Sequence, residues 1–313
     1  MMMLEGQATA WPSTRVTWEA NEHNPVSESQ NQLWFLSGGQ DGIWIMPGMK
    51  GFDAPPFTIH YDEMPALDGA RERHVRAQSR ELFIPLFFYA KDRPSLLSLK
   101  RQFLASLNPA YGPGRISVKE GDGSERFVNA YYVSGAEGDE GRDKAGFVWL
   151  KYGLILRAMD PYWHSFVPVV IDFQAASGEV RPFFSVPFLG LNISRSHSLN
   201  GESEVTITGD VDTWPDWIIS GPFTKVTFTN TITERSFVLN RTTLAGEQVK
   251  ITTSPGNKAV VDADTGENLW NFLGPNPDLW PITPGLNRVR IDVENVGPET
   301  GLVLYYFPRY LSV

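Results

Sequence analysis

The chain has 313 residues, enough to bury one large core or two medium ones. Its composition, 42% hydrophobic and 20% charged, is that of an ordinary globular protein rather than a disordered one. A net charge of −9 and a pI near 5.1 argue against nucleic-acid binding, which needs a basic face to displace counterions, and the absence of cysteine excludes disulfide scaffolds, thiolate metal sites and thiol catalysis.

No run approaches the ~18 apolar residues of a membrane span. Residues 1–11 lack the basic flank and apolar core of a signal peptide, so a soluble protein that folds in the cytoplasm is expected. In chain order, residues 15–18 form a short extended stretch. Two apolar runs, 33–36 and 43–45, flank Ser37-Gly38-Gly39-Gln40-Asp41-Gly42, which is turn chemistry, and together they read as a hairpin. Residues 46–56 carry Pro47, Gly48, Gly51, Pro55 and Pro56 and read as one loop. Residues 80–89 are the most apolar strand candidate of this half, with Pro85 pointing to an edge or a bulge.

One helix is predicted. Asp92 caps it, Pro94 lies in its first turn, and Leu96, Leu99, Phe103 and Leu107 recur at helical spacing, widened by Leu97 and Leu104. Asn108-Pro109 ends it, because the residue before proline is pushed out of helical geometry. Residues 115–120 and 127–133 read as strands around Gly121-Asp122-Gly123, residues 135–143 as a mobile polar loop, and residues 147–159 as a long strand running into Asp160-Pro161-Tyr162-Trp163. Past about residue 165 the helix period disappears. Val205/Ile207, Val226/Phe228, Phe237/Leu239, Val249/Ile251, Val289/Ile291/Val293 and residues 302–307 show period-two patterning. The expected fold is mainly β: an α+β domain over 1–164 and an antiparallel β-sandwich over 165–313.

Few residues point to chemistry. His23, His60, His74, His164 and His197 form no H-E-x-x-H pair. His60-Tyr61-Asp62-Glu63 offers a base beside carboxylates, but no nucleophile motif accompanies it. Asp262-Ala263-Asp264-Thr265-Gly266-Glu267-Asn268 is the most calcium-like stretch. Its glycine stands at the wrong position, however, and Leu273 occupies the place of the bidentate acid, so a turn explains it better. The glycine pairs lack a Walker lysine. Trp214, Trp217, Trp270 and Trp280 could stack on sugars or serve as core and interface anchors, the second being preferred. No catalytic, cofactor-binding or metal-ligating residue is assigned.

The order of these features resembles the siphophage distal tail protein family over nearly the whole chain. The resemblance rests on a strand ending in Lys91-Asp92, the helix closing on Leu107-Asn108-Pro109, Gly112-Pro113-Gly114 before a strand, and above all Ala158-Met159-Asp160-Pro161-Tyr162-Trp163. Gly209-Asp210 with Trp214-Pro215, Ile219-Ser220-Gly221-Pro222, Leu244-Ala245-Gly246-Glu247 and Pro284-Gly285-Leu286-Asn287 add to it.

It implies a belt domain over 1–164, a split β-barrel with one helix that closes copies into a hexameric ring, and a galectin-like sandwich over 165–313. It further implies a non-enzymatic virion protein of the tail tip, assembled in the host cytoplasm. Its implied partners are its own copies (as single or stacked rings), the tail tube protein, the hub or tail-associated lysin, and also the tape measure and receptor-binding proteins. Neither sequence-specific nucleic-acid binding nor membrane insertion is implied. Trp34, Phe35, Trp44, Phe83, Phe87, Phe88 and Tyr89 suit belt core or ring contact, while Glu137, Asp139, Glu140 and Asp143, or residues 121–125, could line a channel that passes DNA without holding it. The alternative reading is a carbohydrate-binding adhesin of the tail tip. Asn192-Ile193-Ser194 and Asn240-Arg241-Thr242 match the glycosylation pattern, which carries no meaning in a phage product.

Overall fold

A computed structural model describes residues 14–24, 33–39, 41–64, 68–143, 146–174 and 192–313. The protein is mainly β, with one α-helix among the described residues, and divides into two compact units. Unit one comprises residues 1–164 together with 311–313; unit two comprises 165–310.

In unit one, seven strands follow one path around a nearly closed barrel-like sheet. The path runs β2 (Leu33–Phe35), β1 (Arg15–Glu19), β7 (Gly114–Lys119), β8 (Glu125–Ser134), β10 (Gly146–Ala158), β6 (Arg80–Tyr89) and β3 (Ile43–Ile45). The expected hairpin of residues 33–36 and 43–45 does not form. β2 pairs with β1, Trp34 opposite Trp18, and β3 pairs with β6, Ile43 opposite Phe88, so the two runs sit at opposite ends of the sheet. Turn chemistry is present between them, but it spans the opening of the barrel. The Phe35 amide donates to the Asp41 carboxylate at 2.8 Å, not to a strand carbonyl. Gly39 adopts φ +70, and a Cβ there would fall 2.3 Å from the Trp44 indole, so only glycine fits under that ring.

The helix α1 (Arg93–Ser106) begins at the predicted cap. The Asp92 side chain accepts from the Ser95 amide at 2.8 Å, and Pro94 lies in the first turn, where its missing donor costs nothing. Its buried Phe103 meets Trp34 of β2 at 5.5 Å and Phe88 of β6 at 5.1 Å, both edge-on. The helix therefore packs on strands from both sides of the split. Leu82, Ile84, Leu86 and Phe88 of β6 and Leu150, Tyr152, Leu154 and Leu156 of β10 complete the core, in a register ten residues long.

Pro85 is not at a sheet edge, since β6 has neighbours on both sides. It lies opposite Gly153 of β10. On its other side β3 has ended, and the next contacts are Met46 donating to the Pro85 carbonyl and Lys50 bridging Phe83. The missing N–H thus falls where the neighbouring chain bows away. The polar stretch 135–143, expected as a mobile loop, ends in strand β9 (Asp139–Asp143), paired with β10.

Two further strands of unit one, β4 (Phe57–Glu63) and β5 (Ala70–Ala77), make a separate two-stranded sheet. The corner at Asp160-Pro161 leads into β11 (Trp163–Ser165), at which unit two begins.

Unit two packs two sheets face to face. The first has six strands: β13 (Asn192–Ser198), β12 (Val169–Gln174), β21 (Gly301–Tyr306), β15 (Asp216–Ser220), β18 (Gln248–Thr252) and β19 (Ala259–Asp262). The second has four: β14 (Gly201–Ile207), β20 (Gly285–Glu294), β16 (Lys225–Asn230) and β17 (Arg235–Leu239). A last short strand, β22 (Arg309–Tyr310), closes the unit. The alternating residues from Val205 to Val293, with Leu302, Leu304 and Tyr306, point inward, so that Trp217, Ile219, Ile251 and Leu304 meet Val226, Phe228, Phe237 and Ile291 in one core. Phe228 and Phe237 stack at 4.4 Å, and Trp217 stands edge-on to both Phe228 and Trp280. The sandwich is not wholly antiparallel: β12 and β13 run parallel.

Candidate functional site

Elementary sheet energetics single out the β4–β5 arm. An isolated hairpin is marginal in water unless a further strand or a packed face supports it. Here Phe57 pairs with Ala77 and Ile59 with Val75, and a bulge after His60 sets Tyr61 opposite Glu72. Alternation therefore places Phe57, Ile59, Tyr61 and Val75 along one face, where they are 49%, 56%, 56% and 42% exposed. On the other face the His60 and His74 rings lie parallel, 6.3 Å apart, and the Arg73 guanidinium binds Asp62. The His60-Tyr61-Asp62-Glu63 run is thus spread over two faces of an exposed strand, and its first carboxylate is engaged by arginine.

The second constellation is the corner at Asp160-Pro161-Tyr162-Trp163. Arg80, 1% exposed, donates to the carbonyls of Pro161 (2.6 Å), Gly51 (2.7 Å), Leu311 (2.6 Å) and Asp53. Its guanidinium lies 5.6 Å from the buried Trp163 ring. Trp163 stacks on Phe52 and donates its indole N–H to the Phe52 carbonyl at 3.1 Å. Burial pushes the Arg80 pKa down to about 10, opposed by Asp53 and Asp160, so the side chain stays charged at neutral pH. Five donors in a planar fork suit several carbonyls at once, which a lysine could not match. Through Arg80 and Trp163 the corner ties together Gly51, Phe52, Asp53, Pro161 and Leu311. Sequence reading found the motif but not Arg80, whose only signal was a cation opening the most apolar strand.

Asp262 ends β19 as a turn former. Its carboxylate accepts from the amides of Asp264 (3.1 Å) and Thr265 (3.0 Å) and pairs with Arg241 at 3.3 Å. These hydrogen bonds hold its pKa below the usual carboxylate range. Among the described residues no three His, Asp or Glu side chains converge as a metal site would require. Trp217 and Trp280 lie in the sandwich core, Trp214 is half-buried, and Trp270 is exposed. Of the candidate channel acids, Asp122 accepts from the Ser124 amide at 2.8 Å, Glu125 pairs with Lys119 at 3.3 Å, and Glu137 is exposed. Asp139, Glu140 and Asp143 have their backbone in β9, and their side chains lie outside the described residues. No described helix is long and apolar enough to cross a membrane.

No protein-family model matches the sequence, and no characterised protein matches it in sequence. In three dimensions the chain shares the fold of phage tail hub and baseplate proteins. It is similar to the SPP1 Dit protein, described as a paradigm of the hub adsorption apparatus in phages infecting Gram-positive bacteria. The match has a TM-score of 0.65 at 12% identity and spans 94% of this chain and 98% of that one. It is also similar to a chain of the phage P2 baseplate in its activated conformation, with calcium (TM-score 0.52, 11% identity) and with strontium (0.51, 10%), over 93% of this chain and 97% of the other in each case. At these identities the likeness is one of fold.

Proposed function

We propose that this chain is a structural, non-enzymatic protein of a phage tail: a distal tail subunit whose unit one, as a belt domain, closes with further copies into a hexameric ring. The ring joins the tail tube to the tip or baseplate hub and leaves a channel for DNA, while unit two serves as a galectin-like peripheral domain. Assembly takes place in the host cytoplasm and the mature location is the virion. Its own copies, the tube protein and the hub or tail-associated lysin are the primary partners; the tape measure and receptor-binding proteins are secondary ones.

The observation that carries this reading is the β4–β5 arm, a two-stranded sheet of its own whose Phe57, Ile59, Tyr61 and Val75 remain about half exposed. A neighbouring copy meeting the arm head to tail would bury this stripe, and repeating that contact closes a ring. The fold likeness, spanning nearly the full length of SPP1 Dit, supports the same reading. An acidic lumen agrees with the overall charge of −9, since like charge keeps DNA from sticking.

Light scattering and negative-stain microscopy of the purified chain provide the test. Rings with a central hole are expected for the wild type, and folded monomers for Ile59→Glu/Tyr61→Glu. A wild-type protein that stays monomeric at high concentration would overturn the proposal, and a basic lumen in the assembled ring would overturn the channel argument.

A further inference from the structure

The geometry points to a saccharide-binding site at the β19 edge of the six-stranded sheet in unit two. Residues 267–269 run back along β19: the Asp262 amide donates to the Glu267 carbonyl at 2.9 Å, the Leu269 amide to Val260 at 2.8 Å, and Asn268 bridges Val261. This places Asn268 and Trp270 beside Ala259 and Val261, the outward-facing residues of β19. With Lys258 they line an open cavity of about 260 Å³. Trp270 is 38% exposed, and its backbone amide is fixed on the Asn268 Oδ1 at 2.9 Å. The Lys258 ammonium lies 5.9 Å from the ring of Trp214.

A sugar ring has one apolar C–H face and a rim of hydroxyls. An exposed indole beside two short aliphatic side chains supplies a surface for the first. The polar groups left for the rim are donors. The Asn268 carbonyl oxygen accepts from Trp270, which leaves its amide N–H groups for a ligand, and the Lys258 ammonium, which also acts on Asp278, adds a second donor. Sugar hydroxyls, which accept as readily as they donate, can take both of these donors. The cavity is smaller than the ~300 Å³ at which drug-sized sites begin, so it fits a single ring. The site is independent of ring formation by the arm.

Saturation-transfer NMR and tryptophan fluorescence on the full chain, titrated with glucose, galactose, N-acetylglucosamine and rhamnose, test the assignment. At least one sugar is expected to bind with a dissociation constant on the order of 1 mM. Trp270→Ala should weaken it tenfold or more and Lys258→Ala several-fold, with the melting temperature unchanged. No transfer to any of the four sugars, or equal binding by the wild type and both variants, overturns the site. So does a Trp270→Ala variant that changes the oligomeric state and leaves sugar binding intact, which would mark a protein contact instead.

Discussion

Two hairpins in this molecule carry the same kind of sequence and meet opposite fates. In β16–β17, Val226 and Phe228 face Leu239 and Phe237 across the pair, and all four are buried in the sandwich. In β4–β5, Phe57 and Ile59 face Ala77 and Val75 in the same register logic, yet the large side chains remain about half exposed. Period-two alternation therefore says that a strand has an apolar face, not what covers it. The first hairpin is stabilised within its own chain; the second has its apolar face ready for something outside it.

The contrast can be broken by substitution. Phe228→Ala should cost about 3–5 kcal/mol, because it removes a ring packed between Phe237 and Trp217, and calorimetric unfolding of unit two should show the loss. Arg80→Met in unit one strips the donors from several buried carbonyls and should cost about 3 kcal/mol, measurable by denaturant titration. Ile59→Ser in the arm should change the stability of the isolated chain by less than ~0.5 kcal/mol while abolishing self-association in sedimentation velocity. If the arm variant unfolds the monomer as severely as Phe228→Ala does, the two hairpins are not different in kind.

The smallest effect belongs to Asp262. Its folded pKa is depressed by the amides it accepts from, so its contribution is complete above the unfolded carboxylate value of about 3.9 and disappears as pH falls through the folded one. Asp262→Asn should accordingly be less stable than wild type at neutral pH, and the gap should narrow under acid conditions. A gap independent of pH would show that the turn depends on side-chain shape and not on charge.

What sequence made legible were the features set by local chemistry. The cap at Asp92, the proline stop at Asn108-Pro109 and the inward alternation from Val205 to Val293 each follow from side chains within a few residues of one another. The features decided at long range were missed. Residues 33–36 and 43–45 read as a hairpin because a glycine-rich turn lies between them, but each short run gains more from a longer partner, β1 or β6, than from the other. The arm drew no element of its own from the sequence, because Arg71, Arg73, Arg76 and the histidines dilute its apolar stripe. Residues 135–143 read as a loop for want of apolar side chains, yet backbone pairing with β10 needs none. Arg80 went unremarked because the carbonyls that hold it are scattered from Gly51 to Leu311.

That last distance has a consequence for biogenesis. Leu311 and Ser312 give their carbonyls to Arg80 and Arg126, and the Val313 amide reaches the Phe52 carbonyl, all inside unit one. A ribosome that has already delivered the first 164 residues has delivered an unfinished unit. Of the four carbonyls that hold the buried cation, those of Gly51, Asp53 and Pro161 are already present, and the Leu311 carbonyl joins them only after the sandwich has been translated.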